Sequence, residues 1–585
     1  MSLRNLTHSP LPPPLSALDR SFAAWLHDQQ AATHALHVWL AALVSHQWGR
    51  GHACLDLTAL QQQPEDLLGW TTQEVQRLPT GCAAAADSLP WTQGENSPLV
   101  RQGHRLYLRR AWVAEQQIRT ALAQRTHHAP VPPPDLEDWL DELFGPAQGT
   151  AAQMGQRQAC RLAATQQVAL ITGGPGTGKT TTVTRLLAVL QRSATSPLRI
   201  GLVAPTGKAA ARLSESIQKA LEGLPAGWGT GLPTQAQTLH RLLYSHAGSP
   251  TSGPTLALDL LVVDEASMMD LEMTARLLQA LPPQARLVLL GDRDQLASVE
   301  AGAVLAQLSE GPLLAAQRAN LSYSHRFDQG SGIGRWARAV QSHDTDRLTA
   351  LWSETPQGLV HAQADVTRLS FPSVHGAAIP ALLQEAWRPW WQTLQALLMR
   401  GEGCSDTQAR ELIDAFSRFS ILCGLREGPW GVQSMNHLVS QSLGLPEGTS
   451  WYAGRPVMVT RNNAGLGRMN GDMGLCLPRA GAQPHDPPVL RVAFPEGASG
   501  VRWVAPSRLD AVETVFAMTV HKSQGSEFDH VLLVLPDRPA PVLTRELVYT
   551  GMTRARTRLT LWVPQTQVLW QACARQVLRS GGLAD

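Results

Sequence analysis

The sequence predicts an α/β protein: two doubly wound parallel sheets, a small β-barrel-like insertion in the second, and a mainly helical domain in front of both. Three observations carry this. From about residue 150, short apolar runs alternate with helical stretches, and the runs at 168–172, 200–204, 260–263 and 287–290 each end in a polar or glycine-rich segment. Buried strands with their chemistry at the carboxyl ends mark such a sheet. A second series, at 419–425, 531–535 and 559–563, repeats the pattern. Within it, roughly 447–510, the chain turns rich in Gly and Pro, with β-prone pieces at 455–460 and 490–494.

Residues 1–14 are polar and Pro-rich, without the apolar run of a secretory signal. Residues 15–48 read as helices, because Leu15, Leu18, Phe22, Trp25 and Leu26, then Leu36, Leu40, Leu43 and Val44, recur at helical spacing. The most apolar early stretch, 38–44, falls far short of the ~20 residues that span a bilayer. Gly49-Arg50-Gly51 breaks the pattern, and 106–122 reads as a further helix. The run 127–134 (HHAPVPPP) marks a stiff, extended linker. Its paired His have no third ligand nearby in sequence and read as solvated. The division that follows is a helical domain at 1–126, a Pro-rich linker at 127–149, a first sheet domain at 150–318, a second at 319–446 and 511–585, and the insertion at 447–510.

A chain of 585 residues exceeds one core; about four domains are expected. With 43% hydrophobic and 16% charged residues it is globular. A net charge of +2 does not exclude a nucleic-acid partner, because a nearly neutral protein still lines a channel with Arg. Cysteines at 54, 82, 160, 404, 423, 476 and 573 show no zinc or iron–sulfur spacing and read as reduced, buried thiols of a cytoplasmic protein.

Lys occurs only at 179, 208, 219 and 522; every other cationic side chain of this kind is Arg. Lys179 stands in Gly173-Gly174-Pro175-Gly176-Thr177-Gly178-Lys179-Thr180-Thr181, a full phosphate-binding loop. Its backbone N–H groups wrap phosphates, a compact ammonium reaches the β- and γ-phosphates, and the Thr180 hydroxyl ligates Mg²⁺. That motif alone leaves kinases, GTPases, transporters and motors open. About 85 residues on, the apolar run 260–263 ends in Asp264-Glu265: one carboxylate to hold Mg²⁺, one to orient or deprotonate the attacking water. The run 287–290 leads into Gly291-Asp292-Arg293-Asp294-Gln295, where Gln295 is placed to sense the γ-phosphate.

The order GGPGTGKTTT, APTGKAA (204–210), TLHRLL (238–243), DEAS, GDRDQLASV, SHRF (324–327), TVHKSQGSEF (519–528) and YTGMTRAR (549–556) resembles the superfamily 1 helicases and, within them, the RecD branch, the alpha subunit of bacterial exodeoxyribonuclease V. The resemblance extends over about 400 residues. LREGPWGV (425–432) and GRPVMVT (454–460) point to the same branch, as do 52–55 and 106–108 more weakly. It implies two RecA-like domains and ATP as fuel, with Gln156 reading adenine. It implies that Arg326 and Arg554 reach the γ-phosphate from the second domain, so that hydrolysis depends on cleft closure. Pro205, Thr206, Lys208, Thr238, His240, Thr519, His521 and Lys522 fall in segments that grip single-stranded DNA in the family; hydroxyls and a few cations suit a grip indifferent to base sequence. His521 reads either so or as a buried structural His.

The resemblance further implies 5′→3′ movement on DNA and assembly with RecB- and RecC-like subunits on double-strand ends. The N-terminal region would dock on the RecC-like chain, and Trp25, Trp39, Trp48 and Trp112 read either as that interface or as core. Gly551 and Met552 stand where the family's pattern has Ala and a small β-branched residue, and no nuclease constellation of carboxylates and lysine is evident, so cutting is expected of another subunit. A freestanding RecD-like helicase is the alternative; its long form carries a larger N-terminal extension with helix-hairpin-helix repeats. An ATP- and DNA-binding scaffold and an RNA-directed helicase are further readings.

Overall fold

Ser16 and Asp19 cap each other at the start of the first helix, Ala17–Gln29: Asp19 N–H donates to Ser16 Oγ (3.2 Å), and Ser16 N–H donates to Asp19 Oδ2 (2.8 Å). Its buried Ala23 and Leu26 meet the next helix, Ala35–Gly49, where Val38, Leu40, Leu43 and Val44 are core. Ser45 of that second helix donates to Asp19 Oδ1 at 2.7 Å. This computed structural model describes residues 14–30, 34–145, 150–244, 256–327, 330–401, 403–446, 451–463, 465–481, 487–497 and 500–585. The polar stretch 1–14 therefore lies outside the described residues except for Pro14.

The N-terminal unit is less helical than its pattern suggests. Strands β1 (Cys54–Asp56), β2 (Leu99–Gln102) and β3 (Arg105–Leu108) form an antiparallel sheet in the order β1-β3-β2. The helix expected over 106–122 thus begins only at Arg109 and runs to Thr126. Three- and four-residue strands are too short to show a period of two, and the partner of β1, with Cys54 opposite Tyr107, is too far along the chain to leave a local trace. The helix packs Ala111, Ala114, Ile118 and Leu122 against Leu271, Ala275 and Leu278 of the first sheet domain. Arg125, 2% exposed, donates to the carbonyls of Leu281 and Pro282 at 2.9 and 3.0 Å. Within the expected linker, Leu136–Phe144 is a helix; Leu136, Leu140 and Leu143 recur at helical spacing and bury against Ala159, Ala163 and Leu187. The Pro-rich residues 128–133 before it lie in neither helix nor strand.

The first sheet follows with β4 (Val168–Gly173), β5 (Ile200–Ala204), β6 (Gln237–Thr238), β7 (Leu260–Val263), β8 (Arg286–Gly291) and β9 (Arg318–Leu321). All are parallel, in the order β6-β5-β7-β8-β4-β9. Because β9 pairs with β4, this sheet reaches Leu321, past the expected boundary at 318. Next come β10 (Val366–Leu369) and β11 (Phe419–Cys423), then β12 (Pro456–Val459), β13 (Met473–Arg479), β14 (Val489–Glu496), β15 (Gly500–Val504) and β16 (Val512–Thr514), then β17 (Ala517–Thr519), β18 (Phe528–Val534) and β19 (Ala555–Trp562). The second parallel sheet has the order β10-β19-β18-β11-β17.

The insertion is a separate antiparallel sheet, β15-β14-β13-β12-β16, and it ends at Thr514 rather than 510. Among the described residues no ladder joins β15 to β16, so the hydrogen bonding is that of an open sheet where a barrel was expected. It is seated on the helix Ile379–Arg400: Trp387 and Trp390 share a core with Phe416, Phe419, Phe516 and with Leu475, Leu477 and Ala493 of the insertion. Trp387 meets Phe419 edge-on with centroids 4.7 Å apart.

After β19 and the helix Thr566–Ala574, the chain leaves the second domain and crosses back. Ala53 N–H donates to Ser580 O (2.8 Å), Gly582 N–H to Glu115 Oε2 (2.9 Å), and Gln307 Nε2 to Arg579 O (2.9 Å). Leu583 is fully buried among Ala53, Tyr107, Leu305 and Leu308. The segment therefore ties the second domain to the N-terminal unit and the first domain together.

Candidate active site

β4 ends in Gly173, and the loop to the helix Lys179–Ser193 turns on Gly176 (φ 76°) and Gly178 (φ 83°), a left-handed backbone that Gly alone adopts at no cost. Thr177 Oγ1 donates to Gly174 O (2.9 Å) and holds the turn. The Lys179 ammonium folds onto the carbonyls of Gly173 and Gly174, 2.5 and 3.1 Å away. Successive N–H groups and a helix N-terminus face the same space, an anion cradle.

This cradle opens on a cleft of about 540 Å³ between the two sheet domains. One wall is Pro175 to Thr181 with Asp264, Glu265 and Gln295; the other is Arg326, Glu527 and Arg554. Asp264 follows the fully buried β7. Burial and the neighbouring Glu265 push its carboxyl up, while Lys179 pulls it down. Glu265 has a positive φ of 53°, rare for a residue with a side chain, which turns the chain between the two carboxylates. Gln295 Nε2 donates to Asp292 Oδ2 (2.9 Å), and Tyr549 OH donates to the same oxygen (3.1 Å).

The two domains meet through this segment. Leu296 N–H donates to Thr550 Oγ1 (2.9 Å) and Gln524 Nε2 to Leu296 O (2.8 Å). Ser324 Oγ donates to Pro175 O (2.8 Å) and His325 N–H to Gly176 O (2.9 Å), so the stretch before Arg326 clasps the phosphate loop. Arg554, 2% exposed, donates to Thr550 O and Ser526 O, both at 3.3 Å. Sequence reasoning passed over four residues of the site: Arg212, Asp292, Glu527 and Tyr549. Arg212 stands one helical turn after Lys208, and that i,i+4 pair of cations was its available signal.

The structure brings Lys179, Thr180, Thr181, Asp264, Glu265, Gln295, Arg326 and Arg554 to one cleft. Gln156 stands behind the loop instead, its amide donating to Thr177 O at 3.1 Å. The residues expected on the strand do not form one exposed surface. The hydroxyls of Thr206, Thr238 and Thr519 accept local N–H bonds from Ala209, Arg241 and Lys522 (3.2, 3.1 and 3.2 Å). Pro205 is half-buried and His240 exposed. Lys208 is covered: its amine lies 3.7 Å from Met473 Sδ and 5.8 Å from the Phe528 ring, and burial pushes it down to about 8. The cause is the insertion, whose Met469 and Met473 lie over Gly207 and Lys208. His521 is partly buried, and burial together with Arg579 pushes its imidazole down. Lys522 is paired with Glu513 of β16.

Family models match in three places: the N-terminal domain of RecBCD enzyme subunit RecD over 14–107, an AAA domain over 156–301, and a UvrD-like helicase C-terminal domain over 514–562. A RecBCD enzyme subunit RecD of Mycolicibacterium smegmatis is 38% identical, with 91% of this chain and 90% of that protein covered. The RecD subunit of Haemophilus influenzae is 34% identical, with 97% of each covered. An ATP-dependent RecD2 DNA helicase of Deinococcus radiodurans is 30% identical, with 81% of this chain and 57% of that protein covered. Fold, cleft and relatives together define an ATP-dependent DNA helicase built on two parallel sheets. Within that class the chain belongs to the RecD family. Among the described residues, no helix is long and apolar enough to cross a membrane.

Proposed function

We propose that this helicase moves 5′→3′ along single-stranded DNA on ATP and Mg²⁺, as the RecD subunit of a RecBCD-type complex that unwinds double-strand ends for repair. The observation that carries the motor reading is convergence: a phosphate loop and two carboxylates on one wall of the cleft, two arginines on the other. Lys179 and the loop N–H groups hold the β- and γ-phosphates. Thr180 and Asp264, a hydroxyl and a carboxylate, are hard oxygen donors that suit Mg²⁺, which supplies charge neutralisation at the phosphates. Glu265 orients the water and Gln295 reports the γ-phosphate. Arg326 and Arg554 stabilise charge on the transferring group, a contribution of roughly 10³–10⁵ in rate. Gln156 fixes the loop beside the adenine site. For Lys208 and Lys522 to grip a strand, the insertion must move off Lys208 and Glu513 must yield Lys522.

Polarity and partners rest on family membership. The N-terminal unit offers exposed Leu18 and Trp25 to a RecC-like chain, whereas Trp39 is core. The test is strand displacement by the purified chain on partial duplexes with a 5′ or a 3′ tail, with Lys179→Gln as the blank. That variant keeps its fold and loses ATPase. Unwinding of the 5′-tailed substrate alone is expected; unwinding of the 3′-tailed one overturns the polarity. Co-purification with RecB- and RecC-like chains tests the assembly and separates it from a freestanding RecD2-like helicase.

A further inference from the structure

Among the described residues, Arg185, Arg212, Arg326 and Arg554 line the nucleotide cleft, and Arg212 and Arg326 meet Arg556 on one carboxylate. Glu527 directly precedes β18, and its side chain is only 4% exposed. Arg326 brings Nη2 to Oε2 and Nη1 to Oε1, each at 2.8 Å. Arg212, on the helix Gly207–Glu222 of the first domain, is paired with Oε1 across the cleft. Arg556 of β19 donates to Oε2 at 3.3 Å. Burial pushes Glu527 up, but Arg212 and then Arg326 outweigh it and hold the carboxyl at about 2, so it is charged at neutral pH.

A buried carboxylate gripped by arginines from both domains has the geometry of a bound phosphate oxygen pair. It satisfies cations that would otherwise repel one another at close range. Its grip is incomplete. Arg326 Nη1 reaches Oε1 at an angle that makes no hydrogen bond and has no other acceptor among the described residues, so it keeps a donor to give.

We propose that Glu527 is a positioning residue that occupies Arg212 and Arg326 while the cleft is empty and yields them to the γ-phosphate when a triphosphate enters. The inference rests on the cleft being the nucleotide site, and it adds Arg212 to the groups that contact the γ-phosphate. Glu527 then acts as a competitor for the same guanidiniums. Its charge subtracts from γ-phosphate affinity and leaves α- and β-phosphate binding nearly untouched, because those fall to the loop around Lys179. The Arg212–Glu527 pair also joins the two walls, so exchanging it for a phosphate is itself a cross-cleft event.

The experiment compares binding of a non-hydrolysable ATP analogue and of ADP to the full chain with Mg²⁺, in wild type, Lys179→Gln and Glu527→Gln. Lys179→Gln tests the cleft by itself: triphosphate binding that survives it removes the reading on which the inference stands. Glu527→Gln keeps shape and loses charge. Analogue affinity is expected to rise on the order of tenfold, the scale of one lost competing charge contact, with ADP affinity within about twofold. In turnover the KM for ATP falls and kcat does not rise. Glu527→Asp keeps the charge and shortens the reach; it moves the ratio the same way by less, and it serves if the Gln variant unfolds. An unchanged ratio of the two affinities, as a purely structural ion pair would give, overturns the proposal. So does a loss of analogue binding, which would make Glu527 an aid to the bound state.

Discussion

A Cβ built on Gly178 would stand 2.2 Å from Gln156 Nε2, on a backbone whose φ of 83° already excludes most side chains. Gly178→Ala therefore meets two penalties, about 1–2 kcal/mol of left-handed backbone and displacement of the amide that braces Thr177. The expected outcome is a rise in the KM for ATP of on the order of tenfold, read by steady-state ATPase, with the thermal midpoint little changed. An unchanged KM would show that the loop tolerates the push and that Gln156 is dispensable. The same glycine, with Lys179, Asp264 and Glu265, was legible in the sequence because a phosphate loop and a strand-end carboxylate pair are local patterns. Glu527 was not. Its meaning lies in Arg212 and Arg326, which stand 315 and 201 residues before it, and no spacing rule connects them. Lys208 shows the opposite failure: its motif was recognised, but the covering Met473 belongs to a different domain.

Short elements are where pattern reading failed. The long helices and the apolar strands of both parallel sheets announce themselves by period and by the motifs at their ends. The three-residue β1 and the helix Leu136–Phe144 inside the Pro-rich stretch do not, the second because four prolines just upstream dominate the reading. The first helix carries a test of its own. Asp19 closes a capping box with Ser16 and also takes the Ser45 hydroxyl of the second helix, with His46 Nδ1 3.6 Å away. Burial pushes this carboxyl up, yet the nearby His46 and the hydrogen bonds from Ser45 and Ser16 outweigh it and hold it at about 2. Asp19→Ala is expected to cost the N-terminal unit about 2–4 kcal/mol, a cap plus a buried charged hydrogen bond. The depressed value fixes the sign with pH. The contribution is complete above the unfolded value of about 3.9 and drains away as pH falls toward about 2. Unfolding curves of wild type and Asp19→Ala should converge across that window; a gap that stays constant would mean that the carboxylate's charge is irrelevant.

At the scale of the whole molecule, the two sheet domains are joined by more than the cleft. Arg579 donates to Arg50 O (2.8 Å) in the N-terminal unit and to Ser298 O (3.3 Å) just after Gln295. Behind it, Leu583 fills a groove made by the N-terminal unit and the first domain. Leu583→Ala is expected to destabilise this junction by about 2–5 kcal/mol, the range for an emptied core leucine. Limited proteolysis is the readout, with new cleavage in 575–585 while the sheet domains stay intact; cleavage no faster than in wild type would make the segment a passive passenger. The groove has a further consequence. Glu115, 1% exposed, takes the Gly582 N–H and the Tyr107 hydroxyl, and Ala53 donates to Ser580. The walls of this groove leave the ribosome hundreds of residues before the segment that fills it. A nascent chain halted in its second domain thus displays an open apolar slot in which Glu115 lacks its Gly582 partner, a mark that distinguishes unfinished molecules from finished ones for any chaperone or protease that samples them.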